Sequence, residues 1–210
     1  MAGRDWRAWH EEYDNPDSTL AGRLTVVRER IAAALDAAPA GPLRLISMCA
    51  GQGRDVIPVL AGHPRGRDIT ARLVELDPQL AEAARQSAAA AGLGQVEVVI
   101  GDAGVTGAYT SPVPADIVLV CGVFGNISEA DIERTIGSCA GLCAGGGTVI
   151  WTRGRWEPDL IPQICDWFDS HGFELVWLSD SGKKYGVGAH RFTGQSQPPG
   201  AATRMFTFTR

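Results

Sequence analysis

The segment from Leu43 to Val56 (Leu-Arg-Leu-Ile-Ser-Met-Cys-Ala-Gly-Gln-Gly-Arg-Asp-Val) constrains the fold more than any other part of the chain. A short apolar run with a β-branched centre meets Gly51 and Gly53, and Val56 to Leu60 can then open a helix. Such a pattern predicts a strand, a tight turn and a helix start. Glycines suit the turn because they accept unusual dihedrals and let a ligand approach the backbone without meeting a Cβ atom.

Acids spaced along the next fifty residues strengthen this reading. The run Ala71 to Glu75 predicts a second strand ending in a carboxylate about twenty residues beyond Gly53, where open α/β sheets place an acid for the two hydroxyls of a ribose. Val96 to Ile100 predicts a third strand, ending at Gly101-Asp102-Ala103. A nicotinamide-dependent dehydrogenase would need a third glycine for close helix packing and pyrophosphate binding, and Val56 occupies that position.

Taken together, Cys49 to Asp55, Val74-Glu75-Leu76-Asp77-Pro78, Gly101-Asp102-Ala103, the fourth strand Ala115 to Val120 and the turn Gly145 to Ile150 resemble class I S-adenosylmethionine-dependent methyltransferases. The resemblance covers roughly residues 40 to 178. It implies a Rossmann-like α/β fold with a seven-stranded, mostly parallel sheet of order 3-2-1-4-5-7-6, the last strand antiparallel and helices on both faces. It also implies S-adenosyl-L-methionine as cofactor, with Glu75 and Leu76 at the ribose turn, Asp102 and Ala103 at adenine, and Ser47, Cys49, Gly51, Gly53 and Cys121 along the remaining contacts. Two positions depart from the pattern: Ser47 stands where relatives often carry an acid, and Cys49 where they often carry glycine. The holder of the methionine amino group is therefore unassigned.

Composition narrows the function classes. Net charge is −5, and of 19 basic residues only Lys183 and Lys184 are lysines. Nucleic-acid binders draw much of their affinity from phosphate contacts, so this balance speaks against DNA or large RNA as substrate. The short clusters Arg65-Gly66-Arg67, Arg153-Gly154-Arg155 and Lys183-Lys184 read as solvated loop charge. No run approaches the roughly 20 apolar residues that cross a bilayer, and the start of the sequence lacks the apolar stretch of a signal peptide. A cytoplasmic protein without a membrane segment is expected. Five scattered cysteines read as reduced residues in or near the core; Cys139 and Cys143 lie four apart with no second pair or nearby histidine to complete a zinc set.

Leu20, Leu24, Val27, Ile31 and Leu35 form one apolar stripe, predicting a helix capped by Asp17 or Ser18 that ends near Ala38. Residues 1–39 then form an N-terminal helical segment and 40–210 the cofactor-binding domain. Further helices are expected at Pro78 to Ala91, Ser128 to Leu142 and Asp159 to His171, with a sixth strand at Glu174 to Leu178. Met205 to Thr209 alternates, with Phe206 and Phe208 on one face, and predicts the last strand.

Methyl transfer demands positioning more than a dedicated nucleophile, and a base only where the acceptor keeps its proton at neutral pH. The candidate base is His190, in a glycine-rich link, Tyr185 to Arg191, that either folds over a substrate or forms a surface hairpin. His10 and Tyr13 follow if the aromatic start, with Trp6 and Trp9, folds over the cofactor as a lid, as the resemblance implies, rather than packing as an inert cap. Asn126, after the fourth strand, is placed to position an acceptor. The expected activity is O- or N-methylation of a small molecule; a non-catalytic cofactor-binding protein of the same fold and an RNA or protein methyltransferase are the alternatives.

Overall fold

A computed structural model describes residues 12–196 and 201–209. Trp6, Trp9 and His10 lie outside them. Among the described residues, seven strands form one sheet in the order β3-β2-β1-β4-β5-β7-β6. They are β1 (Leu43–Met48), β2 (Ile69–Glu75), β3 (Val96–Ile100), β4 (Ala115–Val120), β5 (Cys143–Gly154), β6 (Phe173–Leu178) and β7 (Tyr185–Phe192). Pairing is parallel throughout β1 to β5, and β7 is antiparallel to both β5 and β6.

Helices α1 (Thr19–Ala37), α2 (Val56–Gly62), α3 (Pro78–Ala90), α4 (Glu129–Leu142) and α5 (Ile161–Ser170) cover the two faces. Side chains alternate across each strand, so Leu45, Ile117 and Leu119 join Val27, Ile31 and Leu35 of α1 and the inner faces of α2 and α3. Ile46, Met48, Val118 and Val120 point the other way, onto Ile132 and Ile136 of α4 and Ile164 and Phe168 of α5. The caps follow the sequence: Ser18 accepts from the Ala21 amide, Asp77 from Gln79 and Leu80, and Ser128 from Asp131. Ile31 and Leu35 are fully buried, so α1 is a layer of the core. Arg65 donates to the carbonyls of Leu35 and Ala38 at 2.9 and 2.7 Å, placing its charge where the negative end of the α1 dipole lies.

The seventh strand corrects the sequence reading. Tyr185–Phe192 is paired on both sides within the sheet, whereas Met205 to Thr209 is not a sheet strand. The glycines that suggested a pliable link serve packing instead. A Cβ at Gly188 would fall 2.4 Å from the Trp151 ring, and one at Gly186 2.2 Å from Ile161 Cδ1. Glycine there lets the large neighbours close over the strand. Residues 201–209 form a strap whose one ladder contact among the described residues is an isolated antiparallel bridge, Val105 with Arg204, outside the sheet strands, and whose Met205 and Phe206 are buried against the core.

Candidate functional site

At the carboxyl end of β1 the chain enters the left-handed region three times within five residues, at Cys49 (φ 53°), Gly51 (φ 55°) and Gly53 (φ 67°). For the non-glycine Cys49 that conformation costs about 1 kcal/mol or more, so surrounding contacts must hold it. Two backbone amides provide them. The Ala50 amide donates to the Val74 carbonyl at 3.0 Å, and the Gly51 amide to Glu75 Oε2 at 2.7 Å. Glu75 Oε1 accepts from the Asp77 amide at 2.8 Å, so one nearly buried carboxylate ties the turns after β1 and β2 together. Gly53 is required on steric grounds as well, because a Cβ would lie 2.6 Å from Ile57 Cδ1. The loop then closes onto α1, where Arg28 donates twice to the Arg54 carbonyl, at 2.8 and 2.6 Å.

Beside this loop lies a cavity of about 410 Å³, a size typical of small-ligand sites. It opens between β1 and β4, where the chain order reverses, the place at which such sheets bind ligands. One end is formed by Leu76, Asp102, Ala103 and Gly104 with Phe206 and Phe208. Asp102 there accepts from the Gly104 amide at 2.8 Å and pairs with Arg204 at 2.9 Å, while the Ala103 carbonyl accepts from the Tyr109 hydroxyl at 3.0 Å. The other end is polar, with Tyr13, Arg23, Arg54, Asp55, Cys121 and Thr152. Arg23 donates to the Tyr13 hydroxyl at 3.2 Å, and Arg54 pairs with Asp14 at 2.6 Å, which docks the segment before α1 over the glycine loop.

Burial shifts the titrating groups at this polar end. It raises the Asp55 carboxyl, against the opposing pull of the Val56 amide and of Arg28 and Arg23. The Tyr13 hydroxyl also rises through burial, with Arg23 opposing. Cys49 and Cys121 thiols are pushed far up by burial, so both are neutral thiols at physiological pH.

Of the residues singled out from sequence, Tyr13, Cys49, Glu75, Leu76, Asp102, Ala103 and Cys121 meet at this one cavity, with Gly51 and Gly53 in the loop that shapes it. Three do not reach it. Ser47 is buried within the sheet opposite Leu73 and Leu119. Asn126 is a brace: its amide nitrogen donates to the Gly122 carbonyl at 2.8 Å, and its own carbonyl accepts from the Thr209 amide at 2.8 Å. His190 is sealed in the core of β7, accepting from Trp151 Nε1 at 3.1 Å and stacked on Phe168 at 4.2 Å, and burial lowers its pKa to about 4. It is not among the described wall residues of the cavity. His10 lies outside the described residues.

Sequence reasoning missed Arg23, Phe206 and Phe208 as wall residues, and it included Asp55 and Thr152 only within loops of the ligand edge, without a role of their own. Asp55 carried a usable signal, an acid capping the helix directly after the glycine turn. Arg23 and the two phenylalanines carried none, since only the tertiary fold brings α1 and the strap to the sheet edge.

No protein-family model and no curated protein matches the chain. Solved structures do. An O-methyltransferase family protein from Burkholderia thailandensis superposes with a TM-score of 0.68 at 20% identity, over 92% of this chain and 61% of that one. The chain thus spans about three fifths of that protein's length. A TehB-like SAM-dependent methyltransferase from Corynebacterium glutamicum gives 0.56 at 17% identity, over 76% and 85%. The chain has the class I methyltransferase fold. The [4+2]-cyclase SpnF shares it, at a TM-score of 0.61 and 16% identity over 83% and 81%, so the fold alone does not fix the reaction.

Among the described residues, no helix is long and apolar enough to cross a membrane, and no three His, Cys, Asp or Glu side chains group to hold a metal.

Proposed function

We propose that this protein is an S-adenosylmethionine-dependent methyltransferase acting on the oxygen or nitrogen of a small molecule. The observation that carries the reading is the convergence of the Cys49–Asp55 loop, Glu75 and Asp102 on a single cavity at the carboxyl edge of the sheet. Glu75 would take the ribose hydroxyls on the lone pairs left after its two backbone bonds. Asp102 would receive the adenine amino group, with the Ala103 backbone beside it.

The polar end suits the amino-acid tail. Its ammonium needs an acid and its carboxylate a base, and Asp55 and Arg23 supply one of each in the same cavity. Asp55 thereby replaces the acid missing at Ser47, which the sheet holds out of reach. When bound, the cofactor supplies a methyl carbon activated by a positively charged sulfur. The chain's own task is to hold the acceptor lone pair on the line of that bond and to keep water out. Tyr13, neutral and part of the segment pinned by Asp14 and Arg54, would close the polar end as a lid and present its hydroxyl to the acceptor.

A small acceptor is favoured by the modest cavity and the acidic balance of the chain, and by the engagement of two of the three short basic clusters: Arg65 caps α1, and Arg155 pairs with Asp159 at 2.6 Å. Five unpaired thiols suit a reducing, cytoplasmic setting. A second reading, a protein of this fold that binds the cofactor without transferring its methyl group, is favoured by the cyclase of the same fold.

Calorimetry with S-adenosylhomocysteine tests the site: saturable one-to-one binding is expected, and no binding would sink the reading. Formation of S-adenosylhomocysteine during incubation with panels of phenols, carboxylic acids and amines then separates the two readings, since a pure binder forms none with any acceptor.

A further inference from the structure

The strap 201–209, rather than pairing as a strand, runs along the adenine end of the cavity and is anchored to three separate elements. On the loop after β3, the Thr106 amide donates to the Thr203 carbonyl at 2.9 Å and the Met205 amide to the Gly104 carbonyl at 2.7 Å. At the start of α4, the Thr207 amide donates to Asp131 Oδ2 at 3.2 Å. On the loop after β4, the Thr209 amide reaches the Asn126 carbonyl at 2.8 Å. Arg204 adds the ion pair to Asp102.

Contact with the site is equally specific. Met205 and Phe206 are buried, while Phe208 is 37% exposed and packs edge-to-face on Phe206 with centroids 5.6 Å apart. Both rings line the cavity beside Asp102 and Ala103. Gly104 is the seat of the strap: a Cβ there would lie 2.5 Å from the Phe206 carbonyl oxygen, a backbone atom that no side-chain rotation can move away.

We propose that the strap is a built part of the ligand site, with Phe206 and Phe208 forming an aromatic wall for a purine base and Arg204, on Asp102, and Gly104 holding that wall in place. The inference rests on the S-adenosylmethionine reading and adds to it the element that selects the adenine group. Flat aromatic faces hold a base by stacking, which is insensitive to what the rest of the ligand carries.

Calorimetry on the full chain tests this with two probes that share only the nucleoside, S-adenosylhomocysteine and 5′-methylthioadenosine. Phe208→Ala, at a half-exposed position that folding tolerates, should weaken both by the same factor, about tenfold or more. Phe208→Tyr, which keeps the ring, should restore both. Gly104→Ala, which lifts the strap from its seat, should weaken both in the same way. Undiminished binding of both probes by Phe208→Ala and Gly104→Ala, with the wild type binding normally, would overturn the proposal while leaving the cofactor reading intact. Loss for S-adenosylhomocysteine alone would also overturn it, by assigning the rings to the methionine or acceptor space. If the wild type binds neither probe, both readings fall together.

Discussion

Replacing Glu75 by glutamine probes the bond that joins the fold to the site. The side chains are isosteric, but the carboxylate accepts from two amides, Gly51 at 2.7 Å and Asp77 at 2.8 Å. Glutamine can satisfy one of them; its NH₂ group must face the other, donor against donor. Losing one hydrogen bond to a charged acceptor costs about 1.5–3 kcal/mol. For a chain of this size that corresponds to a fall in melting temperature of about 3 to 12 °C. If the amide turns toward Gly51, the left-handed backbone of Cys49, Gly51 and Gly53 also loses its clamp. S-Adenosylhomocysteine affinity should then fall by a further factor of about 10 to 100, because a ribose hydroxyl loses a charged acceptor in the same change. Differential scanning calorimetry and isothermal titration read the two effects separately. An unchanged melting temperature would refute the clamp, and unchanged affinity would refute the ribose assignment.

Acid should destabilise the protein through His190. Its pKa is lowered by burial to about 4, so between pH 6.5 and 4 the unfolded chain takes up a proton that the folded chain refuses. Stability contributed by this site is therefore full above pH 6.5 and declines by about 1.4 kcal/mol per pH unit as pH falls through that window. Urea denaturation of the wild type and of His190→Gln, which keeps an acceptor for Trp151, should show a shallower pH slope in the variant; identical slopes would place the histidine in solvent. Gly53→Ala combines a left-handed residue with a Cβ 2.6 Å from Ile57 and should cost about 2–4 kcal/mol in urea denaturation. Gly62→Ala, at a helix position with nothing within 4 Å, should be neutral or gain a few tenths of a kcal/mol, and equal costs at the two sites would contradict the steric account.

The division between what was legible and what was not tracks the range of the interactions involved. Apolar periodicity and capping residues are local, and they located α1, α3, α4, α5 and the strands β1 to β4 and β6 within a residue or two. Glycine at a strand end and acids at the next two strand ends are also local signals, and once the sheet is parallel they must share an edge. That is why the position of Glu75 and Asp102 at one sheet edge, where they line the cavity, is legible without the structure. The failures share one cause. Tyr185–Phe192 has the glycines of a link, and only the bulk of Trp151 and Ile161, far away in sequence, explains them as a strand. Met205 to Thr209 has the alternation of a strand, but β7 already fills the place between β5 and β6.

His190 shows the same limit at the level of one side chain. Its sequence neighbours are small and flexible, which suggests access to solvent, yet pairing on both sides of β7 and the ring of Phe168 close it off. The sequence by itself determined the strands other than β7, the loops after β1 to β3 and the acids at their ends, because those depend on neighbours within a few residues. Tertiary structure alone decided which distant segments reach that edge. Arg23 arrives from α1, and Phe206 and Phe208 from a strap about a hundred residues past Asp102, because periodicity marks which face of a segment is buried but not which remote segment it meets.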